Sequence, residues 1–142
     1  MRNSYFRGFS ENEDPLFLGR KSTEATPEDV GVLDDLMDTL RANSDRCVGM
    51  AANMIGVSKR IIAFYHGPLV MGMLNPEITA KSEPYPTQEG CLSLDGVRNT
   101  VRFRRITVAW QDRNGKRMQS AFEGWTAQII QHEIDHCSGI LI

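Results

Sequence analysis

The stretch Trp125-Thr126-Ala127-Gln128-Ile129-Ile130-Gln131-His132-Glu133-Ile134-Asp135-His136-Cys137 lies between Gly124 and Gly139 and reads as a helix punctuated by glycine at both ends. A helix places His132 and His136, four residues apart, on one face, close enough to bind one metal ion. Glu133 sits beside them, within reach of a bound water. The same five residues could also form an ordinary polar helix face, so the weight of the metal reading rests on the rest of the chain. Two histidines leave a metal short of a third protein ligand, and His66, Cys47, Cys91 and the carboxylates are the candidates. Cys91 has the best setting, within Gln88-Glu89-Gly90-Cys91-Leu92-Ser93-Leu94, where Gly90 permits close backbone approach. One thiolate and two imidazoles keep a fourth position open, as catalytic rather than structural sites do. The plain alternative for Cys91 is a small buried hydrophobe.

Outward from this helix, Thr26-Pro27-Glu28-Asp29 is a helix start: a hydroxyl to cap free amides, proline in the first turn, and two carboxylates at the positive dipole end. The helix is expected to run to about Arg41, with Val30, Leu33, Leu36, Met37 and Leu40 forming one apolar stripe that needs a partner. A sheet would supply it, from runs at Arg60 to Tyr65, Leu69 to Leu74, Ile106 to Gln111 and Arg117 to Phe122. Asp112-Arg113-Asn114-Gly115 between the last two signals a hairpin turn. Lys81 to Thr87, with Pro84 and Pro86, reads as an extended loop. The elements do not alternate regularly, which favours an α+β fold over a doubly wound sheet. A length of 142 residues suits one domain spanning residues 1–142, with short, mostly antiparallel strands around the histidine helix.

Sixteen basic against eighteen acidic residues leave a net charge of −2, so no global basic field collects nucleic acid. Arg98, Arg102, Arg104 and Arg105 form a local basic cluster whose alternation with Val101, Phe103 and Ile106 suggests the solvated side of a strand. No apolar run is long enough for a membrane-spanning helix, and Met1 to Arg20 has no apolar core of a secretory signal, so a cytoplasmic protein is expected. Three cysteines, an odd number, read as reduced thiols rather than a disulfide framework.

Glu89-Gly90-Cys91-Leu92-Ser93 followed by Gln131-His132-Glu133-Ile134-Asp135-His136 resembles two signature motifs of the peptide deformylases, enzymes that remove formyl from the initiator methionine of new bacterial chains. Their first motif, Gly-x-Gly-Leu-Ala-Ala-x-Gln, finds a degraded counterpart in Cys47-Val48-Gly49-Met50-Ala51-Ala52-Asn53-Met54. The likeness extends over most of the chain, including the capped first helix, Asn75-Pro76-Glu77-Ile78, Arg98 and the hairpin before the last helix. It implies that Cys91, His132 and His136 bind one divalent metal, Fe(II) in the cell for many members and zinc or nickel in others. It implies further that Glu133 is general base and acid, that the Leu92 N–H helps hold the oxyanion, and that an N-formylmethionyl peptide or nascent chain is the partner of a monomer. Val48, Gly49, Met50, Glu89, Gly90 and Arg98 would then border the substrate, with Trp125, Gln128 and Ile129, on the face of His132, lining the pocket for its first side chain.

Three positions depart from the family pattern. Met54 replaces a glutamine whose amide donates to the tetrahedral intermediate, and a thioether cannot donate; losing such a donor costs about 10² to 10³ in turnover. Asn53 next door has an amide, but using it would need a backbone shift. Cys47 replaces a glycine, and Gln128 adds an amide to an otherwise apolar pocket. The leading expectation is a deformylase-type hydrolase with reduced activity. Its rival is a catalytically silent metal-binding paralogue, against which the retention of Glu133 argues. A zincin-type protease would share only the His-Glu-x-x-His pattern and leave Glu89 to Ser93 unexplained.

Overall fold

The computed structural model describes residues 21–91 and 94–140, and for Cys91 and residues 94–96 the backbone only. Leu92 and the segment Met1 to Arg20 therefore lie outside the described residues. A 3₁₀ turn at Pro27–Asp29 leads into helix α1, Val30–Ala42. Then come β1 at Gly49–Ala51, a 3₁₀ turn at Ala52–Ile55, β2 at Ile61–His66, β3 at Leu69–Cys91, β4 at Leu94–Gln111, β5 at Arg117–Glu123, and helix α2 at Gly124–Cys137. The strands form one antiparallel sheet in the order β1-β2-β3-β4-β5. The α+β architecture expected from the element order is the one present.

Local chemistry explains the element ends. The start of α1 is held by Asp29, whose carboxylate accepts the Thr26 N–H at 2.8 Å, while the Thr26 hydroxyl donates to the same carboxylate at 3.4 Å instead of capping a backbone amide. Helix α2 stops in a Schellman arrangement: the Gly139 N–H donates to His136 O at 3.0 Å, the Ile140 N–H to Asp135 O at 2.9 Å, and Gly139 takes φ +78°. The β4–β5 hairpin is closed by Gly115 N–H donating to Asp112 O at 2.9 Å, with the Asp112 carboxylate accepting from the backbone of Asn114 and Lys116. The Asn-Gly signal is correct in place but only Gly115, at φ +80°, takes the left-handed conformation.

Lys81 to Thr87 corrects the loop expectation. The segment belongs to β3, whose register with β4 runs through Pro84↔Phe103 and Pro86↔Val101. Proline is tolerated because β2 pairs with β3 only from Leu69 to Leu74, so beyond that point β3 has β4 alone as a neighbour and a missing N–H breaks no second ladder.

Leu33, Leu36 and Leu40 of α1 and Ala127, Ile129, Ile130 and Cys137 of α2 join one buried cluster with Met50, Ile61, Ile62, Phe64, Met73, Leu74, Ile106 and Val108 of the sheet. Helix α1 packs on β2 and β3, and α2 on β4, β1 and β2. That second packing carries the histidines beneath β1 and beside the end of β3.

Candidate metal centre and active site

The last three turns of α2 bury His132, Glu133 and His136, all under 10% exposed, where the helix packs on β1, β2 and β4. The two imidazole rings lie 4.6 Å apart, centroid to centroid. His132 Nδ1 is 2.7 Å from Glu89 Oε1. Burial works against ionisation of Glu89, but hydrogen bonds from His132, Arg102 and Gln128 outweigh it and hold the carboxyl down at about 2. Glu89 is thus an acceptor and His132 Nδ1 carries the hydrogen, which leaves the ring's lone pair on Nε2.

Arg102 grips the same carboxylate through Nε, at 3.1 and 3.0 Å from its two oxygens, and through Nη2 at 2.7 Å from Oε1. Its Nη1 donates to Asp135 Oδ2 at 2.6 Å. Burial opposes the guanidinium charge, yet the hydrogen bonds to Glu89 and Asp135 prevail and raise its pKa above the ordinary arginine value. Glu133 lies beside His136, its Oε1 3.4 Å from Nδ1, and among the described residues that oxygen has no hydrogen-bond partner. A buried carboxylate oxygen left without a hydrogen bond beside the His136 imidazole suits a polar guest in the site.

Above them opens a cavity of about 270 Å³ lined by Arg46, Cys47, Val48, Gly49, Met54, Gln88, Glu89, Gly90, Trp125, Gln128, Ile129, His132 and Glu133. Gly49 is required here, since a Cβ would lie 2.7 Å from Ile129 Cγ2 and 3.1 Å from the Glu133 side chain. Cys47 lies at the cavity with its thiol 3.0 Å from Gly49 O.

Most of the residues singled out from the sequence converge on this cavity: Met54, Val48, Gly49, Glu89, Gly90, Trp125, Gln128, Ile129, His132 and Glu133 all line it, while His136 lies behind. Met50 does not line it; its side chain is buried in the sheet core. Arg98 is exposed on β4, opposite Glu89 in register, and does not line it either. Cys91 closes β3 next to Gly90, but its thiol, like Leu92, is outside the described residues. Among the described residues no three His, Cys, Asp or Glu side chains are grouped to hold a metal. Met54 is 2% exposed and its sulfur accepts from the Ala51 N–H at 3.4 Å. Asn53 gives one amide N–H to His136 O at 2.9 Å and does not line the cavity, so it does not stand in for the missing donor.

Two expectations are corrected. Gln128 is no stray amide in an apolar pocket: Nε2 donates to Glu89 Oε2 at 2.8 Å and Oε1 accepts from the Tyr85 hydroxyl at 3.2 Å. Arg102 is not on a solvated strand face but 3% exposed, whereas Val101 is 56% exposed. Ile106, Val108 and Trp110 of β4 are buried as Arg102 is, but alternation from them passes through the exposed Arg104, so the period of two does not by itself single out Arg102. Asp135 and Tyr85 carried no signal either.

The polypeptide deformylase family model matches residues 12–142. The chain belongs to the peptide deformylase family. It is 57% identical over 130 residues to a peptide deformylase of Clostridium beijerinckii, covering 92% of this chain and 96% of that one. A peptide deformylase of Carboxydothermus hydrogenoformans is 39% identical, over 90% of this chain and 85% of its own. The crystal structure of the deformylase from Thermotoga maritima superposes with a TM-score of 0.80 at 29% identity, covering 90% of this chain and 88% of that one. Peptide deformylases are metal-dependent hydrolases that act on the formyl group.

Proposed function

We propose that this chain is a working peptide deformylase that hydrolyses the formyl group of N-formylmethionyl peptides. The observation that carries the proposal is Glu133 buried at the cavity wall between two histidines, one of them fixed by the Glu89–Arg102 pair. A paralogue kept only for binding would have no use for a buried carboxylate with an unsatisfied oxygen beside a cavity, so the silent-binder alternative loses ground.

The donor set fits a divalent cation: two neutral imidazoles, and Cys91 as the thiolate, with Fe(II) as the resident ion and zinc or nickel as substitutes. Held there, a cation would supply the Lewis acidity that makes the attacking water easier to deprotonate. Glu133 takes the proton from that water as it adds to the formyl carbon, and then delivers it to the amine nitrogen as the C–N bond breaks and formate leaves. Gly90, bare of a side chain at the cavity, lets the peptide backbone lie close, and Ile129 with the 62% exposed Trp125 forms an apolar wall for the methionine side chain. The Leu92 N–H is assigned to the developing oxyanion. Met54 contributes packing and no donor.

The test is formate release from formyl-Met peptides by anaerobically prepared, iron-loaded protein beside Glu133→Ala. Turnover in the parent, with full metal occupancy but about 10³-fold or greater loss in the variant, is expected. Equal rates, or none from metal-loaded parent, would overturn the proposal.

A further inference from the structure

The cavity wall carries a hydrogen-bond chain that the reaction itself does not require. The Tyr85 hydroxyl, on β3, donates to Gln128 Oε1 at 3.2 Å, and Gln128 Nε2, on α2, donates to Glu89 Oε2 at 2.8 Å. Glu89 then accepts from His132 Nδ1 at 2.7 Å through its other oxygen. Glu89 is 8% exposed, so each donor it receives also replaces solvent.

We propose that Gln128 and Tyr85 are positioning residues for the metal ligand His132, acting through Glu89 from the substrate side of the site. A carboxylate that orients a ligating imidazole works only if its own plane is fixed. Arg102 fixes one edge, with Nε shared between the two oxygens and Nη2 on Oε1. This leaves Oε2 with the shared Nε contact alone, unless Gln128 donates to it. Gln128 in turn could rotate its amide about the terminal torsion. Glu89, an ionised carboxylate, can only accept and so takes the amide nitrogen, and the Tyr85 hydroxyl donates to the oxygen left at the other end and holds the amide against rotation. Tyr85 is itself held, with the Arg104 guanidinium 4.7 Å above its ring. The polar residue in the pocket wall is therefore a strut for the metal centre.

The inference rests on the metal reading above, and its test separates the two. Zinc-loaded protein is mixed with a chromophoric chelator in excess and zinc release is followed, alongside the thermal midpoint of each variant. His132→Ala tests the metal reading: it should lose stoichiometric zinc. Gln128→Leu, of similar volume, should release zinc about 10-fold faster or more, the range for loss of a partner that orients a ligand. Tyr85→Phe should release it a few-fold faster, and the double variant should match Gln128→Leu alone, because Tyr85 acts only through Gln128. The His132 Nδ1 proton, sought in the downfield ¹H spectrum of zinc-loaded protein, should shift in Gln128→Leu. Zinc release within twofold of the parent in both single variants would overturn the proposal. So would additive effects in the double variant, or effects that merely track the thermal midpoint. If His132→Ala retains zinc, the metal reading fails instead.

Discussion

Replacing Arg102 by methionine keeps much of the apolar stem and removes the guanidinium that donates to Glu89 and Asp135. Glu89 would remain 8% exposed, its charge met only by His132 and Gln128. Removing one partner of a buried ion pair costs about 3–5 kcal/mol. A second route comes from the carboxyl itself, held at about 2 against an ordinary 4.5; at about 1.4 kcal/mol per unit that is roughly 3.5 kcal/mol. The two figures describe one interaction, and part of the second belongs to His132 and Gln128. A loss of about 2–4 kcal/mol at pH 7 is therefore expected, a large share of the roughly 5–15 kcal/mol of a typical domain. Because the folded-state pKa is depressed, this stabilisation is complete above the unfolded value near 4.5 and is lost as pH falls toward 2. The parent should thus approach the variant on acidification, the deficit at pH 3 being about half or less of that at pH 7. Urea unfolding followed by circular dichroism, with metal removed by chelator so that its release does not enter, measures both values. A deficit under about 1 kcal/mol at pH 7, or one equal at the two pH values, would refute the buried-pair account.

Met54→Gln should raise kcat on formyl-Met peptides at least about tenfold with KM nearly unchanged, since the restored amide donor acts on developing charge; unchanged turnover at full metal occupancy would place the fault at Cys47 instead. Gly49→Ala puts a Cβ 2.7 Å from Ile129 Cγ2 and 3.1 Å from Glu133 Oε2, and displacing that carboxylate should lower kcat by roughly 10²-fold in steady-state assays. Asn75, at φ +53°, donates to Ala25 O and Gln111 Oε1 and accepts from the Ala25 N–H. Asn75→Ala should cost about 3 kcal/mol in urea unfolding without changing the metal stoichiometry.

The sequence by itself determined whatever depends on short-range spacing. The His132–His136 pair, Glu133 between them and the Gly139 stop follow from helical periodicity, and the Asp112 to Gly115 turn from local residue chemistry; each stands where the spacing put it. Ordered motifs around Glu89 and His132 were enough to name the family. Only the tertiary structure decided what those residues touch across the chain. Glu89 and His132 are 43 residues apart and Arg102 and Asp135 33 apart, and no local rule pairs them. A charged residue in a strand reads as solvated because burying a lone charge is prohibitive. Arg102 escapes that rule because α2 brings Asp135, and β3 brings Glu89, to the same point. Lys81 to Thr87 is a strand for a related reason: whether proline breaks a ladder depends on which neighbours the strand has, and strand pairing is set by the register of distant segments rather than by the residues of the strand itself.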